Sequence, residues 1–387
     1  MAAERSLSRF SGWSEIQPLC TSGILADQRP FFSGTHVQSR MSEVRRAIND
    51  IRIHWDRYPD FMAELRSYME RVSPVSPGAA DPVLDSQLAE LFASTKDWAD
   101  RRPDGGTRPE DYSAVRLYTS DAGYQRIFST INRAFRTVSL TGDPVALRSA
   151  AFLVELLSID LFNYRHTHRA ADDFQGTVYR GMAVTAEEVE AFTRAAAGPV
   201  EQRYLSVPLA MMSASRSREK ATAFARETAR RFPDRIPLLW SIDVAGLPPD
   251  LLGAYRSAFP ASMVTSMCAV PVDGLSAYAY EKEVLLRGPF FQILGMTPGG
   301  TAGPGSGPMH IIEAVMLNSN RDHVTTIASD EGEDRRSRAL FRTVVTMHRA
   351  GLCLDYARTR GLDADADVYR AQLDRDRAEF DRLAAAA

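Results

Sequence analysis

The chain is poor in cysteine and nearly devoid of lysine, and it has no long apolar run. Cys20, Cys268 and Cys353 are the only cysteines among 387 residues, and none forms a Cys-x-x-Cys spacing. That argues against a disulfide framework and against a thiolate zinc site, and it suits a reducing compartment. No stretch approaches eighteen uninterrupted apolar residues, and Met-Ala-Ala-Glu-Arg-Ser-Leu-Ser-Arg offers no basic region followed by an apolar core. Neither a membrane span nor a signal peptide is therefore expected. An excess of one charge is lacking too, since the formal net charge is −3, so neither nucleic acid nor an anionic membrane is nominated as a partner. His166 and His168 have no third ligand candidate nearby, and no His-Glu-x-x-His occurs, so no metal is expected. A Gly-x-Ser-x-Gly elbow is also missing. The run Pro298-Gly-Gly-Thr-Ala-Gly-Pro-Gly-Ser-Gly-Pro is broken by prolines and precedes a strand, which makes it a hairpin connection and not a phosphate cradle.

Lysine is the sharpest shortage. Only Lys96, Lys220 and Lys282 are lysines, and the other 43 of the 46 basic residues are arginine. A GC-rich genome produces that bias. So does work inside a foreign eukaryotic cell, where each lysine is a site for ubiquitin attachment.

What is present is a globular composition, with 44% hydrophobic and 25% charged residues. The length allows one large domain with helical additions or two domains. Residues 41–72 carry Val44, Ile48, Ile51 and Trp55 at helical intervals and read as a helical pair interrupted by Pro59. Proline and glycine clusters between Ser73 and Pro109, around one short helix, suggest a linker. The expected division is a helical N-terminal region at 1–110, a core domain at 111–318 and a helical extension at 319–387. Within the core, Tyr124, Ile127, Phe128, Ile131 and Phe135 make Ala122 to Thr137 an amphipathic helix, and 145–165 a second. Strands are expected at Gly176 to Met182, Tyr204 to Val207, Ala210 to Ser213, Leu238 to Val244, Glu283 to Leu286, Phe290 to Leu294 and His310 to Leu317. A capping box at Thr185-Ala-Glu-Glu and an N-cap at Ser217 open two helices. Strands outnumber helices in this region, which predicts an α+β fold and not a doubly wound parallel sheet.

The chemistry centres on Tyr280-Glu281-Lys282-Glu283. Taken as strand, the alternation puts Glu281 and Glu283 on one face with Lys282 on the other. A solvated pair of this spacing is common on sheet surfaces, whereas two acids in one pocket can divide acid and base roles between them. The company of the pair decides between these readings. Val178-Tyr179-Arg180-Gly181 comes first, Ser213-Ala214-Ser215 leading into a helix comes second, and the acidic pair third.

In this ordered triple the chain resembles the arginine, serine, glutamate class of mono-ADP-ribosyltransferases, over about Tyr112 to Leu317. The resemblance implies a split antiparallel β-sandwich flanked by helices, NAD as co-substrate and a protein as acceptor. It assigns Glu283 to stabilising the ribosyl cation and Glu281 to activating an acceptor guanidinium. Arg180, Gly181, Ser213 and Ser215 are assigned to binding NAD. The loop Val272 to Tyr280 would recognise the target, with Tyr278 stacking on it. Ala214 stands where the class usually has threonine. A chain of this kind is expected in the cytosol, or to be exported without a signal peptide into a host cell as an effector or toxin. NAD hydrolysis and an inactive binding module are the alternative readings.

Overall fold

The structure is a computed structural model that describes residues 47, 50–51, 54–72, 81–100, 112–131, 143–167, 174–200, 203–206, 211–258, 268–287, 290–299, 309–317 and 331–385. Eight strands form one sheet: β1 Gly176–Val184, β2 Tyr204–Ser206, β3 Met211–Ser215, β4 Ile236–Ala245, β5 Ala269–Pro271, β6 Glu283–Arg287, β7 Phe290–Thr297 and β8 His310–Leu317. Their spatial order is β2-β7-β8-β4-β1-β3-β6-β5. The sheet is mainly antiparallel, as expected, with β4 and β8 its one parallel pair among the described strands.

The sheet is nearly cut in two. β1 pairs with β4 over nine positions, from Gly176↔Val244 to Val184↔Ile236, but meets β3 only at Tyr179↔Ser215. Five strands thus lie on one side of the junction and three, β3, β6 and β5, on the other. Beyond Tyr179 the two halves are not laddered together, so side chains and ligands can enter where a continuous sheet would have hydrogen bonds.

Alternation of buried residues along β4, with Leu238, Trp240, Ile242 and Val244 in the main core, directs that face inward. Helix α5 (Ala186–Ala197) lies against it, with Phe192 edge-on to Trp240 at 5.5 Å. The capping box predicted for this helix is present, as Thr185 Oγ1 accepts from Glu188 N–H and the Glu188 carboxylate accepts from Thr185 N–H.

On the N-terminal side, α1 (Tyr58–Val72), α2 (Pro82–Asp100), α3 (Ser113–Tyr118) and α4 (Pro144–Thr167) share the main core with the sheet. Pro59 sits in the first turn of α1, where no backbone N–H is required, so the break of the expected helical pair falls just before it, with helical residues 47, 50 and 51 on the other side. The region read as linker contains α2, a helix of 19 residues. In α4 every residue from Ser149 to Leu161 is buried, as befits a helix enclosed on all sides. Its Asp160 accepts a hydrogen bond from Val115 N–H and so caps α3, whose own N-cap, Tyr112, makes no side-chain cap bond. The expected helix from Ala122 begins at Asp121, capped by Ser120, and passes into a π-helical stretch at Tyr124–Phe128; its continuation past Ile131 lies outside the described residues.

Helix α6 (Arg218–Arg231) follows β3 and is N-capped by Ser217, as expected. Neither β5, three residues long, nor α7 (Pro249–Ala258) had a counterpart in the sequence reading. The charged C-terminal stretch folds as α8 (Glu331–Thr359) and α9 (Asp363–Ala385), whose apolar residues pack with Leu294, Val315 and Leu317 of β7 and β8.

Candidate active site

The sheet junction gathers the three motifs. β3 and β6 pair with Ser213 opposite Leu285, Ala214 opposite Val284 and Ser215 opposite Glu283. Ser213, Ser215 and Glu283 therefore share one face, and Ser213 Oγ donates to Glu283 Oε1 at 2.6 Å. Arg180, at the splayed end of the β1–β3 pairing, donates from Nη1 to the Ser213 carbonyl at 2.5 Å. Its Nε is a buried donor without a hydrogen-bond partner. Ala214 faces the opposite way with Val284 and belongs to the apolar core. A threonine hydroxyl there would lie on the far side of the strand from the carboxylates. The departure from the class pattern thus costs the site none of these hydrogen bonds.

Glu283 is only 7% exposed. Burial pushes its carboxyl up from the ordinary 4.5 to about 7; the hydrogen bonds from Ser213 and Ser276 and the charge of Arg180 oppose the rise, and Glu281 adds to it. Ser276 went unassigned in the sequence reading. Its spacing carried no signal, and only the turn of the 272–280 loop brings its hydroxyl back onto the carboxylate. That loop is pinned by Val272 N–H donating to the Glu283 carbonyl at 3.0 Å.

Glu281 is not on the strand. It ends a 3-10 turn, Ala279–Glu281, and Lys282 takes φ 51°, ψ 50°, making it the one non-glycine residue of positive φ among the described residues. The alternation argument for the acidic pair is therefore replaced by a left-handed kink, and β6 begins only at Glu283. Side-chain and backbone bonds hold the kink. Ser215 Oγ donates to the Glu281 carbonyl at 2.5 Å and accepts from Ser217 N–H at 2.9 Å, while Arg216 N–H donates to the Lys282 carbonyl at 3.0 Å. Such a conformation costs a bulky side chain on the order of 1 kcal/mol and persists only where its surroundings fix it. Here it sets Glu281, half-buried, beside Glu283. Burial raises the Glu281 carboxyl, Lys220 pulls it down and Asp121 pushes it up.

Tyr278 donates its hydroxyl to Asp121 at 3.0 Å, which ties the loop to the helical segment after α3 and raises the phenol's pKa. Its ring meets that of Tyr280 edge-on at 6.0 Å. Tyr280 is 60% exposed and carries Lys220 Nζ on its face, 4.6 Å from the ring centroid. Gly181 is buried under α6, where a Cβ would collide with the Ala221 carbonyl and lie 2.9 Å from Ala225 N. A glycine here lets the helix close on β1. The neighbouring Phe224 of α6 is 63% exposed, an apolar side chain that the sequence reading also left unassigned.

The site is thus a buried carboxylate gripped by hydroxyls, with the charge of a guanidinium close by and a second acid and two tyrosines at its rim. Preorganised in this way, it can stabilise positive charge that develops beside Glu283.

No protein-family model and no curated protein sequence matches the chain. Among solved structures it is similar to Vis toxin, an ADP-ribosyltransferase from Vibrio splendidus, at 17% identity over 62% of this chain and 86% of that one, with a TM-score of 0.33. It is also similar to the type III effector XopAI from Xanthomonas axonopodis pv. citri, at 12% identity over 70% and 97% of the two chains and a TM-score of 0.36. Exoenzyme S from Pseudomonas aeruginosa, solved with human 14-3-3 protein beta and carba-NAD, aligns at 12% identity over 60% and 86%, with a TM-score of 0.28. Scores of this size leave the question of activity to the side chains.

Proposed function

We propose that the chain is a mono-ADP-ribosyltransferase that takes NAD as co-substrate and modifies arginine on a target protein. One observation carries this reading above the rest: Glu283, buried at a gap in the sheet, receives the Ser213 hydroxyl while Arg180 fixes Ser213 from its backbone side. Cleavage of the nicotinamide–ribose bond gives a transition state with the character of a ribosyl cation. An ionised carboxylate held at that point, in a site of low polarity, stabilises the cation without having to reorganise. The unpartnered Nε of Arg180 is a donor for the anionic pyrophosphate or ribose portion of NAD, since charge-assisted bonds to such oxygens are strong. Ser215 and Ser276 position the two acids, and Gly181 lets α6 close on β1 beside Arg180.

Glu281 serves the acceptor. A guanidinium stays protonated in proteins and is a poor nucleophile, so a neighbouring carboxylate must orient it and take its proton. A raised carboxyl is suited to accept that proton. The lysine-poor composition fits an effector or toxin working in another cell, and no described helix is long and apolar enough to cross a membrane.

The test separates the two acids. Glu283→Ala should lower both NAD hydrolysis and transfer to agmatine, a small guanidine, by roughly a hundred- to a thousandfold. Glu281→Ala should abolish transfer while hydrolysis persists. Equal loss of both activities in the second variant would show that the acids do not divide the work. Labelled NAD with cell lysate, followed by peptide mass spectrometry, names the target and the acceptor residue together.

A further inference from the structure

Two of the three lysines, Lys220 and Lys282, stand at this site in a chain whose other 43 basic residues are arginine. Lys220 is on the Tyr280 ring face, and its charge is felt at Glu281. Two arginines near the site are held elsewhere. Arg180 is bound to the Ser213 carbonyl, and Arg216 turns its guanidinium to Asp273 at 2.9 Å. An exposed aromatic face beside a carboxylate is a good seat for a guanidinium, which stacks on the ring and is gripped by the acid. In this structure an ammonium occupies that seat. Tyr278 offers no equivalent, because its hydroxyl is engaged by Asp121 and its ring meets Tyr280 edge-on.

We propose that Lys220, lying on the face of Tyr280 beside Glu281, is a resident stand-in for the acceptor guanidinium, holding its seat between turnovers without being a substrate. The inference rests on the transferase reading and adds the role of Lys220 to it. A guanidinium has two terminal nitrogens, so one can be gripped by Glu281 while the other faces the ribose. An ammonium has a single nitrogen, and the atom that binds is the atom that would have to attack. In the productive step the bond from ribose C1′ to the nicotinamide nitrogen breaks, and nicotinamide leaves with the electron pair. The guanidinium nitrogen facing the ribose bonds to C1′, while Glu281 takes a proton from the nitrogen it grips and passes it to solvent. Lysine at position 220 thus supplies the cation and avoids self-modification, which arginine, the chain's usual basic residue, would invite.

Lys220→Arg is the decisive variant. Incubated with NAD and no acceptor, it should gain one ADP-ribose at residue 220, at a rate independent of enzyme concentration, while the wild type stays unmodified there. Adding Tyr280→Ala to it should abolish that modification. Lys220→Met, which vacates the seat, should lower KM for agmatine roughly two- to five-fold. NAD hydrolysis by the same Lys220→Arg preparation shows that it is folded. If agmatine is modified while residue 220 stays bare and Lys220→Met leaves KM unchanged, the seat is elsewhere. Wild-type modification at Arg216 or Arg218 as fast as at residue 220 of the variant would refute the protective role of lysine. If NAD is hydrolysed but neither agmatine nor residue 220 is modified, the arginine reading of the function fails, and the seat with it.

Discussion

Glu283 is the residue on which stability and activity pull in opposite directions. Its carboxyl is raised from 4.5 to about 7 in the folded chain. The folded state therefore holds this proton more tightly than the unfolded state does. The resulting stability is complete below about pH 4.5 and is lost as pH rises through about 7, a difference on the order of 3 kcal/mol. Glu283→Gln, which removes the charge and keeps the shape, should raise the melting temperature at pH 8 and change it little at pH 4. On the proposed function, activity should have the reverse dependence, because only the ionised carboxylate stabilises a cation. NAD hydrolysis, followed as kcat/KM, should rise through about pH 7. Ser213→Ala removes a hydrogen bond to the charged form and should move that midpoint up by about one unit. A profile flat from pH 5 to 9 would rule out Glu283 as the titrating group.

At the scale of elements, α6 approaches β1 closely only because residue 181 is glycine. Gly181→Ala would drive a methyl group into the Ala221 carbonyl, so the helix must shift away from the strand. Overpacking of this kind costs about 1–3 kcal/mol. Thermal melts should show the loss, and titration with NAD should show weaker binding, since Arg180 precedes the displaced residue. Much at this scale was legible in the sequence. β1, β6 and β8 stood out as apolar, β-branched runs between turn residues, and Thr185 and Ser217 announced their helices by local side-chain bonds that need no tertiary context. What escaped was decided by contacts between segments distant in the chain. Glu281-Lys282-Glu283 alternates like a strand, yet Ser215 and Arg216 hold its carbonyls and kink it at Lys282. β5 is three residues that become a strand only by pairing with β6. Helix α7 is anchored by Tyr255, whose hydroxyl bonds Ser337 and whose ring meets Phe341, both from α8. Ser276, Asp121 and Lys220 reach the acids through folding of loop and helix, so no spacing in the sequence marks them.

At the scale of the whole molecule, the C-terminal helices are bolted to the half of the sheet remote from the acids. Arg203, beside β2, donates to both carboxylate oxygens of Asp365, at 2.6 and 3.3 Å, and to the Gly198 carbonyl at 2.7 Å. Tyr356 and Arg360 both donate to the Glu313 carboxylate of β8, and Gln292 of β7 donates to the Tyr369 hydroxyl. Between these bonds lie Leu294, Val315 and Leu317, buried against α8 and α9. Deleting Glu331–Ala385 would bare this apolar surface, and the shortened chain should be recovered insoluble. A milder probe is Asp365→Ala, which leaves Arg203, only 13% exposed, without its partner. Loss of a largely buried partner should cost about 2 kcal/mol, seen as a lower urea midpoint with an unchanged slope. Because β7 and β8 reach the junction only through β4 and β1, KM for NAD should not move in this variant. A rise in KM together with the fall in midpoint would mean that the helical extension sets the geometry of the site as well as the stability of the sheet.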